Sequence, residues 1–340
     1  MTQPTAAALP ANASPDLAHL HAALEPAEPA EPDAGGWPLR LRCADGVELS
    51  AHWYEPGPHG GAARAVAVVA AATGVPQGFY RAFSTWLAAR GYAVLSFDYR
   101  GIGTSRRGPI NTEPATMRDW GRQDMSAALA EAERRRGAAS GQRLPLLWVG
   151  HSFGGNGIGL AQGIGQVDAV LTVASQLGDW RLWPGVHRWV TAFYFHALLP
   201  TVAHVVGHAP GWSLGGGSAM PLPKQAALEW ARWGRTRGFL YGDASLQGDL
   251  TLHQFVGAAH LWNITDDLTY GPARAVDALA RLFKSARVTR HTLAPAEVGL
   301  TRIGHFGAFR RANGAQIWPR LMAPIEAATP ALRNAGLAPL

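Results

Sequence analysis

Hydrophobic positions along this chain fall into short continuous runs separated by longer amphipathic stretches. Two alternating segments, 37–43 and 47–54, flank Ala44-Asp45-Gly46, and an Asp-Gly pair between alternating runs predicts a β-hairpin. Positions 65–72 are apolar throughout, which predicts a strand buried on both faces; Thr73-Gly74-Val75-Pro76 then turns the chain into a helical period over 79–90 that stops at Gly91. The rhythm repeats with a strand over 92–99, a polar helix over about 115–136, a strand over 144–149, a helix reaching about Gly163 and a strand over 167–174. After a long interruption it resumes with a strand over 261–265, a helix over 272–283, a strand over 288–293 and a helix over 312–328. Strands alternating with helices after an initial hairpin predict an α/β fold, with a mostly parallel sheet carrying helices on both faces.

Composition refines this picture at the two ends and in the middle. Residues 1–36 are rich in Ala, Pro and Glu, with near-repeats such as Glu25-Pro26-Ala27-Glu28-Pro29, and read as a disordered leader. The core is expected over 37–175 and 258–330, with an insertion over 176–257. The formal charge of +6 conceals a leader with five carboxylates and no Lys or Arg, so the remainder is more basic than the total indicates. Its arginines are scattered rather than gathered into a stripe with aromatics, which argues against nucleic acid as a partner. Cys43 is the only cysteine, which excludes an intrachain disulfide and a Cys-based metal site. The N-terminus lacks a basic start followed by an apolar stretch, and a cytoplasmic location is expected.

The stretch with chemical content is Leu144-Pro145-Leu146-Leu147-Trp148-Val149-Gly150-His151-Ser152-Phe153-Gly154. A buried strand runs into Gly-x-Ser-x-Gly, and small residues two before and two after the serine allow a sharp strand-to-helix turn that pushes its side chain outward. A serine hydroxyl needs an imidazole to take its proton, and the imidazole needs a carboxylate to fix its tautomer. Asp267, at the turn after the strand that follows the insertion, and His305, between glycines after the last strand, supply these in the order Ser, acid, His. Asp266 is the alternative acid, with capping of the next helix as its other role. The oxyanion hole is expected from the backbone N–H of Phe153 and of Val75. His151 adjoins Ser152 but points elsewhere and is excluded as its base. Asp98-Tyr99-Arg100-Gly101-Ile102-Gly103 is read as a structural turn with local ion pairs rather than a nucleotide loop.

With those residues in place, positions 37–328 resemble the α/β-hydrolase family. The blocks around Thr73-Gly74-Val75, Asp98-Tyr99-Arg100-Gly101, Gly150-His151-Ser152-Phe153-Gly154-Gly155 and Gly304-His305-Phe306-Gly307 are similar to a bacterial branch called predicted α/β-hydrolases, related to monoglyceride-lipase-like and serine-aminopeptidase-like enzymes. The resemblance implies an α/β-hydrolase fold with a Ser152, Asp267, His305 triad. The chain departs from many relatives in carrying Thr73-Gly74 where they carry His-Gly.

The insertion holds six tryptophans, Trp180, Trp183, Trp189, Trp212, Trp230 and Trp233, and in this fold its position makes it a helical lid over the serine. These rings either line an apolar acyl site or pack the lid onto the body. The run 189–206 has the length of a membrane span, but Pro200 and two histidines within it predict two short helices meeting near Pro200, with lipid contact by the lid as the lesser alternative. No metal or cofactor is expected. The activity expected is hydrolysis of a carboxylic ester or related acyl compound through an acyl-enzyme. The alternatives are acyl transfer, peptide hydrolysis, or binding without catalysis.

Overall fold

The computed structural model of the protein describes residues 36–57, 62–138, 143–214, 219–330 and 332; residues 1–35 of the expected leader lie outside them. Among the described residues ten strands follow in chain order: β1 Gly36–Arg42, β2 Glu48–Tyr54, β3 Ala65–Ala70, β4 Tyr92–Phe97, β5 Leu146–His151, β6 Ala169–Val173, β7 His208–Ala209, β8 Leu222–Pro223, β9 Ala258–Ile264 and β10 Arg287–Leu293. Eight form one sheet in the order β1-β2-β4-β3-β5-β6-β9-β10, and β7 and β8 pair separately within the insertion. Within the eight-stranded sheet β1 and β2 are antiparallel, β2 is antiparallel to β4, and every other pairing is parallel; β7 and β8 pair antiparallel.

Every residue of β3, β4, β5, β6 and β9 is buried. Parallel strands are linked by helices that cover both faces, so both sets of side chains face the core. That is why β3 reads as an unbroken apolar run and β4, β5, β6 and β9 as mostly apolar ones, while β2 alternates. The hairpin turns at Gly46, whose φ of +83° is open to glycine, and Asp45 Oδ1 accepts the Val47 N–H at 3.2 Å.

The polar helix before β5 contains a π-helical turn, Trp120–Met125, ahead of Ser126–Ala138. That turn carries Trp120 onto Tyr99, with ring centroids 5.1 Å apart and stacked, and edge-on to Phe153 at 5.6 Å. It also sets fully buried Asp124 against Arg100, which donates from Nε to Asp124 Oδ1 at 2.7 Å and from Nη1 to Asp45 Oδ2 at 2.6 Å. Asp98 accepts the N–H groups of Gln77 and Thr104 at 2.7 and 2.9 Å. The Asp98–Gly103 segment is therefore a structural turn that supports the residue after the elbow serine.

One expectation is corrected. The run around Pro200 forms a single helix, Gly185–Val206, instead of two short ones. A π-helical turn at Tyr194–Leu198 immediately precedes Pro200. A wider turn there accommodates the missing proline N–H and relieves the clash of its ring with the preceding turn, so the helix continues. Only 17% of its most apolar window is buried. Val186, Trp189, Val190, Phe193 and Val205 are all exposed, Val205 at 80%.

Candidate active site

Four loops at the carboxyl ends of β3, β5, β9 and β10 converge, at the edge where parallel α/β sheets bind ligands. The β5 loop is the sharpest. Ser152 has φ +51° and ψ −114°, a conformation rarely tolerated outside glycine, and the helix Phe153–Asn156 starts immediately after it. The flanking glycines are steric necessities: a Cβ on Gly150 would run into the backbone of Gly154, and one on Gly154 into the carbonyl of Ala70. Ser152 remains 7% exposed at the head of that turn.

The β9 loop carries Asp267, 3% exposed, whose Oδ1 accepts the Tyr270 N–H at 3.1 Å. Asn263, on β9 itself, donates to the Gly271 carbonyl at 3.0 Å and holds that loop closed. His305 comes from the loop after β10, where Gly304 has φ +59°. Its Nδ1–H donates to Asp267 Oδ2 at 2.6 Å, which leaves Nε2 as the nitrogen available to a serine. Of the two links of a triad, this is the one hydrogen-bonded here; serine–imidazole bonds often tighten only in the substrate complex. The His305 ring packs between Tyr270 and Phe306, each with its centroid 5.0 Å away.

Asp266 does not reach the imidazole. Its two carboxylate oxygens accept the N–H groups of Ile303 and Gly304, both at 2.9 Å, and so clamp the backbone of the loop that presents His305. Phe153 N–H opens the elbow helix, where the first amides have no partner within the helix. The Val75 N–H donates to the Ala72 carbonyl at 3.1 Å, closing a turn in which Gly74 has φ +71°. A developing oxyanion would share or take over that donor.

The insertion rests on the same loops. The Met220 N–H donates to the Gly74 carbonyl at 2.7 Å, and Trp183 Nε1 donates to the Thr269 carbonyl at 2.8 Å beside Asp267. The tryptophans divide by role. Trp233 is fully buried and donates to Asp243 Oδ2 at 2.9 Å, and Trp230 packs on Tyr194 and Phe195. Trp189 and Trp212 are exposed. The rings nearest His305 come instead from Tyr270, Phe306 and His151.

Two residues absent from the expected site are built into it. His151 and Tyr80 are fully buried beneath the elbow, with Tyr80 Oη 2.7 Å from His151 Nδ1. Tyr80 stands at the end of the short turn that precedes the helix Arg81–Ala88, and nothing in its local pattern marks it as more than a core aromatic.

The sheet order, the strained serine turn and the converging loops are those of the α/β-hydrolase fold. Comparison with known proteins agrees: the profile of the family described as serine aminopeptidase, S33, matches residues 61–205, from β3 through the elbow into the insertion. The chain has the α/β-hydrolase fold. A soluble variant of monoglyceride lipase from Saccharomyces cerevisiae, solved with a substrate analogue, is similar over 88% of this chain and 98% of its own, with 14% identity and a TM-score of 0.58. A hypothetical protein from Pseudomonas aeruginosa is similar over 90% and 99%, with 14% identity and a TM-score of 0.55. An α/β hydrolase from Penicillium sp. sh18 gives 87% and 99%, with 14% identity and a TM-score of 0.53. At such identities the likeness is one of fold. No curated protein matches the sequence.

Proposed function

We propose that the protein hydrolyses a carboxylic ester or a related acyl compound through an acyl-enzyme on Ser152. The observation that carries this reading is the 2.6 Å bond from His305 Nδ1–H to Asp267, beside a serine held at φ +51° on a strand-to-helix turn. In this mechanism His305 Nε2 takes the Ser152 proton as Oγ attacks the substrate carbonyl, and Asp267 holds the imidazole in the Nδ1–H tautomer and stabilises its charge. The N–H groups of Phe153 and Val75 receive the oxyanion, the second by turning from the Ala72 carbonyl. His305 then returns the proton to the leaving alcohol. A water, deprotonated by the same nitrogen, attacks the acyl group and frees Ser152.

Substrate size is set by what the insertion leaves open above the Gly74 and Thr269 carbonyls, and the aromatic groups around His305 favour an apolar acyl chain. Purified protein is expected to react with a fluorophosphonate probe and to turn over p-nitrophenyl esters in preference to aminoacyl anilides, with Ser152→Ala abolishing both. Equal labelling of wild type and Ser152→Ala would refute the assignment.

A further inference from the structure

We propose that His151, acting with Tyr80, is a positioning residue that fixes the oxyanion turn and the His305 loop relative to Ser152. The inference rests on the reading of Ser152 as nucleophile and adds to it a group that touches no substrate.

The argument is one of donors and acceptors. The Ala72 N–H, which can only donate, points at Tyr80 Oη at 2.9 Å. The His305 carbonyl, which can only accept, lies 2.9 Å from His151 Nε2. Nε2 must therefore carry a proton. Between these fixed ends, Tyr80 Oη and His151 Nδ1 are 2.7 Å apart. With the proton of the neutral ring on Nε2, Nδ1 is bare and accepts the Tyr80 proton, while a lone pair of the tyrosine oxygen accepts from Ala72. One arrangement satisfies every group: Ala72 N–H to Tyr80 Oη, Tyr80 O–H to His151 Nδ1, and His151 Nε2–H to the His305 carbonyl. It requires a neutral imidazole in the Nε2–H tautomer. Complete burial, and after it the neighbouring His305, hold the His151 pKa well below the usual histidine range, which keeps the ring in that form.

The two ends of this relay are the parts a triad needs aligned. Ala72 donates to Tyr80 and accepts from Val75, so it is the base of the oxyanion turn. The His305 carbonyl belongs to the residue whose imidazole faces Asp267. His151 is the last residue of β5 and is joined covalently to Ser152. Three loops from three strands are thus tied at one ring. That ring has little room to turn, with Phe309 and His305 centroids both 5.0 Å away and Phe306 at 5.8 Å.

The test combines Tyr80→Phe, His151→Gln and the double variant with kinetics on p-nitrophenyl acetate. Each single substitution is expected to lower kcat tenfold to a hundredfold with KM within twofold, and the double to fall no further than the weaker single, because one relay has been cut twice. Circular dichroism and Tm report folding separately. A single variant that keeps kcat within twofold, or a double whose loss is the product of the two, overturns the proposal. Long-range nitrogen–proton NMR on histidine-labelled protein reads the relay without any turnover. His151 is expected as the Nε2–H tautomer from pH 5 to 8, and an Nδ1–H or doubly protonated ring overturns it. Failure of the hydrolase reading would show instead as absent fluorophosphonate labelling with the tautomer intact.

Discussion

Asp266 and Asp267 are chain neighbours whose carboxylates serve the same histidine in different ways: Asp267 takes its ring N–H, and Asp266 takes the two backbone N–H groups just before it. In the proposed mechanism the first contact sets the tautomer and supports positive charge on the ring, so its loss would be felt in the transition state. The second fixes where the loop stands. Asp267→Asn should therefore lower kcat by about 10³-fold or more with little change in KM. Asp266→Asn keeps one good acceptor and should lower kcat by about tenfold or less. Steady-state kinetics on one ester decides between them, and a larger loss at Asp266 would reverse the two roles.

The elbow makes a steric prediction. Gly154 sits where an added Cβ would overlap the Ala70 carbonyl on the neighbouring strand, and neither backbone can move without disturbing β3 or Ser152. Gly154→Ala should cost about 3 kcal/mol of stability and reduce fluorophosphonate labelling at least a hundredfold. Gly137 has nothing within 4 Å of its Cβ position and lies in the helix Ser126–Ala138. Gly137→Ala is the matched control and should be neutral or stabilising by about 0.5–1 kcal/mol. Thermal melts of the two variants side by side give the comparison.

What could be read from the sequence and what could not have physical causes. The buried strands were legible because parallel strands covered on both faces must be largely apolar: β3 is so at every position, β5 up to His151 and β6 at all but Thr172. Ser152, Asp267 and His305 could be singled out as candidates because each follows a strand in an order that such chemistry constrains, and the structure brings Asp267 and His305 into hydrogen-bond contact. The pairing of Tyr80 with His151 was not, since a hydrogen bond between residues 71 apart leaves no local pattern. The π-helical turns at Trp120–Met125 and Tyr194–Leu198 were equally silent, because one extra residue per turn changes the phase of a helix without changing its composition. That omission is what made Pro200 look like a break. The tryptophans of the insertion were visible in number but not in direction, and the structure sends Trp233 inward and Trp189 outward.

The sheet edge supplies a prediction in pH. His260 on β9 is buried, its Nδ1 2.8 Å from His291 Nε2 on β10, and the Trp262 ring stacks on His291 at 4.3 Å. Burial, and then the neighbouring His291, lower the His260 pKa to about 4. A histidine with a depressed folded-state pKa binds its proton more readily when unfolded, so its stability contribution is present above about pH 6.5 and is lost as pH falls toward 4. Between pH 7 and 4.5 this amounts to about 2 kcal/mol. Urea unfolding across that range should show the loss, and His260→Gln should flatten the slope. An unchanged slope would mean that other groups carry the acid sensitivity.

The helix Gly185–Val206 offers a contrast between two phenylalanines two positions apart. Phe195 is 4% exposed, and its ring lies against Tyr194 at 5.2 Å, Trp230 at 5.7 Å and the backbone of Gly234. Phe193 is 62% exposed on the opposite face, beside Trp189 and Val190. Phe195→Ala removes an aromatic from a packed contact between two helices and should cost about 3–5 kcal/mol locally, seen as faster proteolysis of the insertion and a lower Tm. Phe193→Ser leaves no cavity and should change stability by no more than about 0.5 kcal/mol. If Phe193→Ser instead destabilises the protein as much as Phe195→Ala, the outer face of this helix is covered in solution. Sedimentation velocity of wild type and Phe193→Ser would then show whether a second copy covers it.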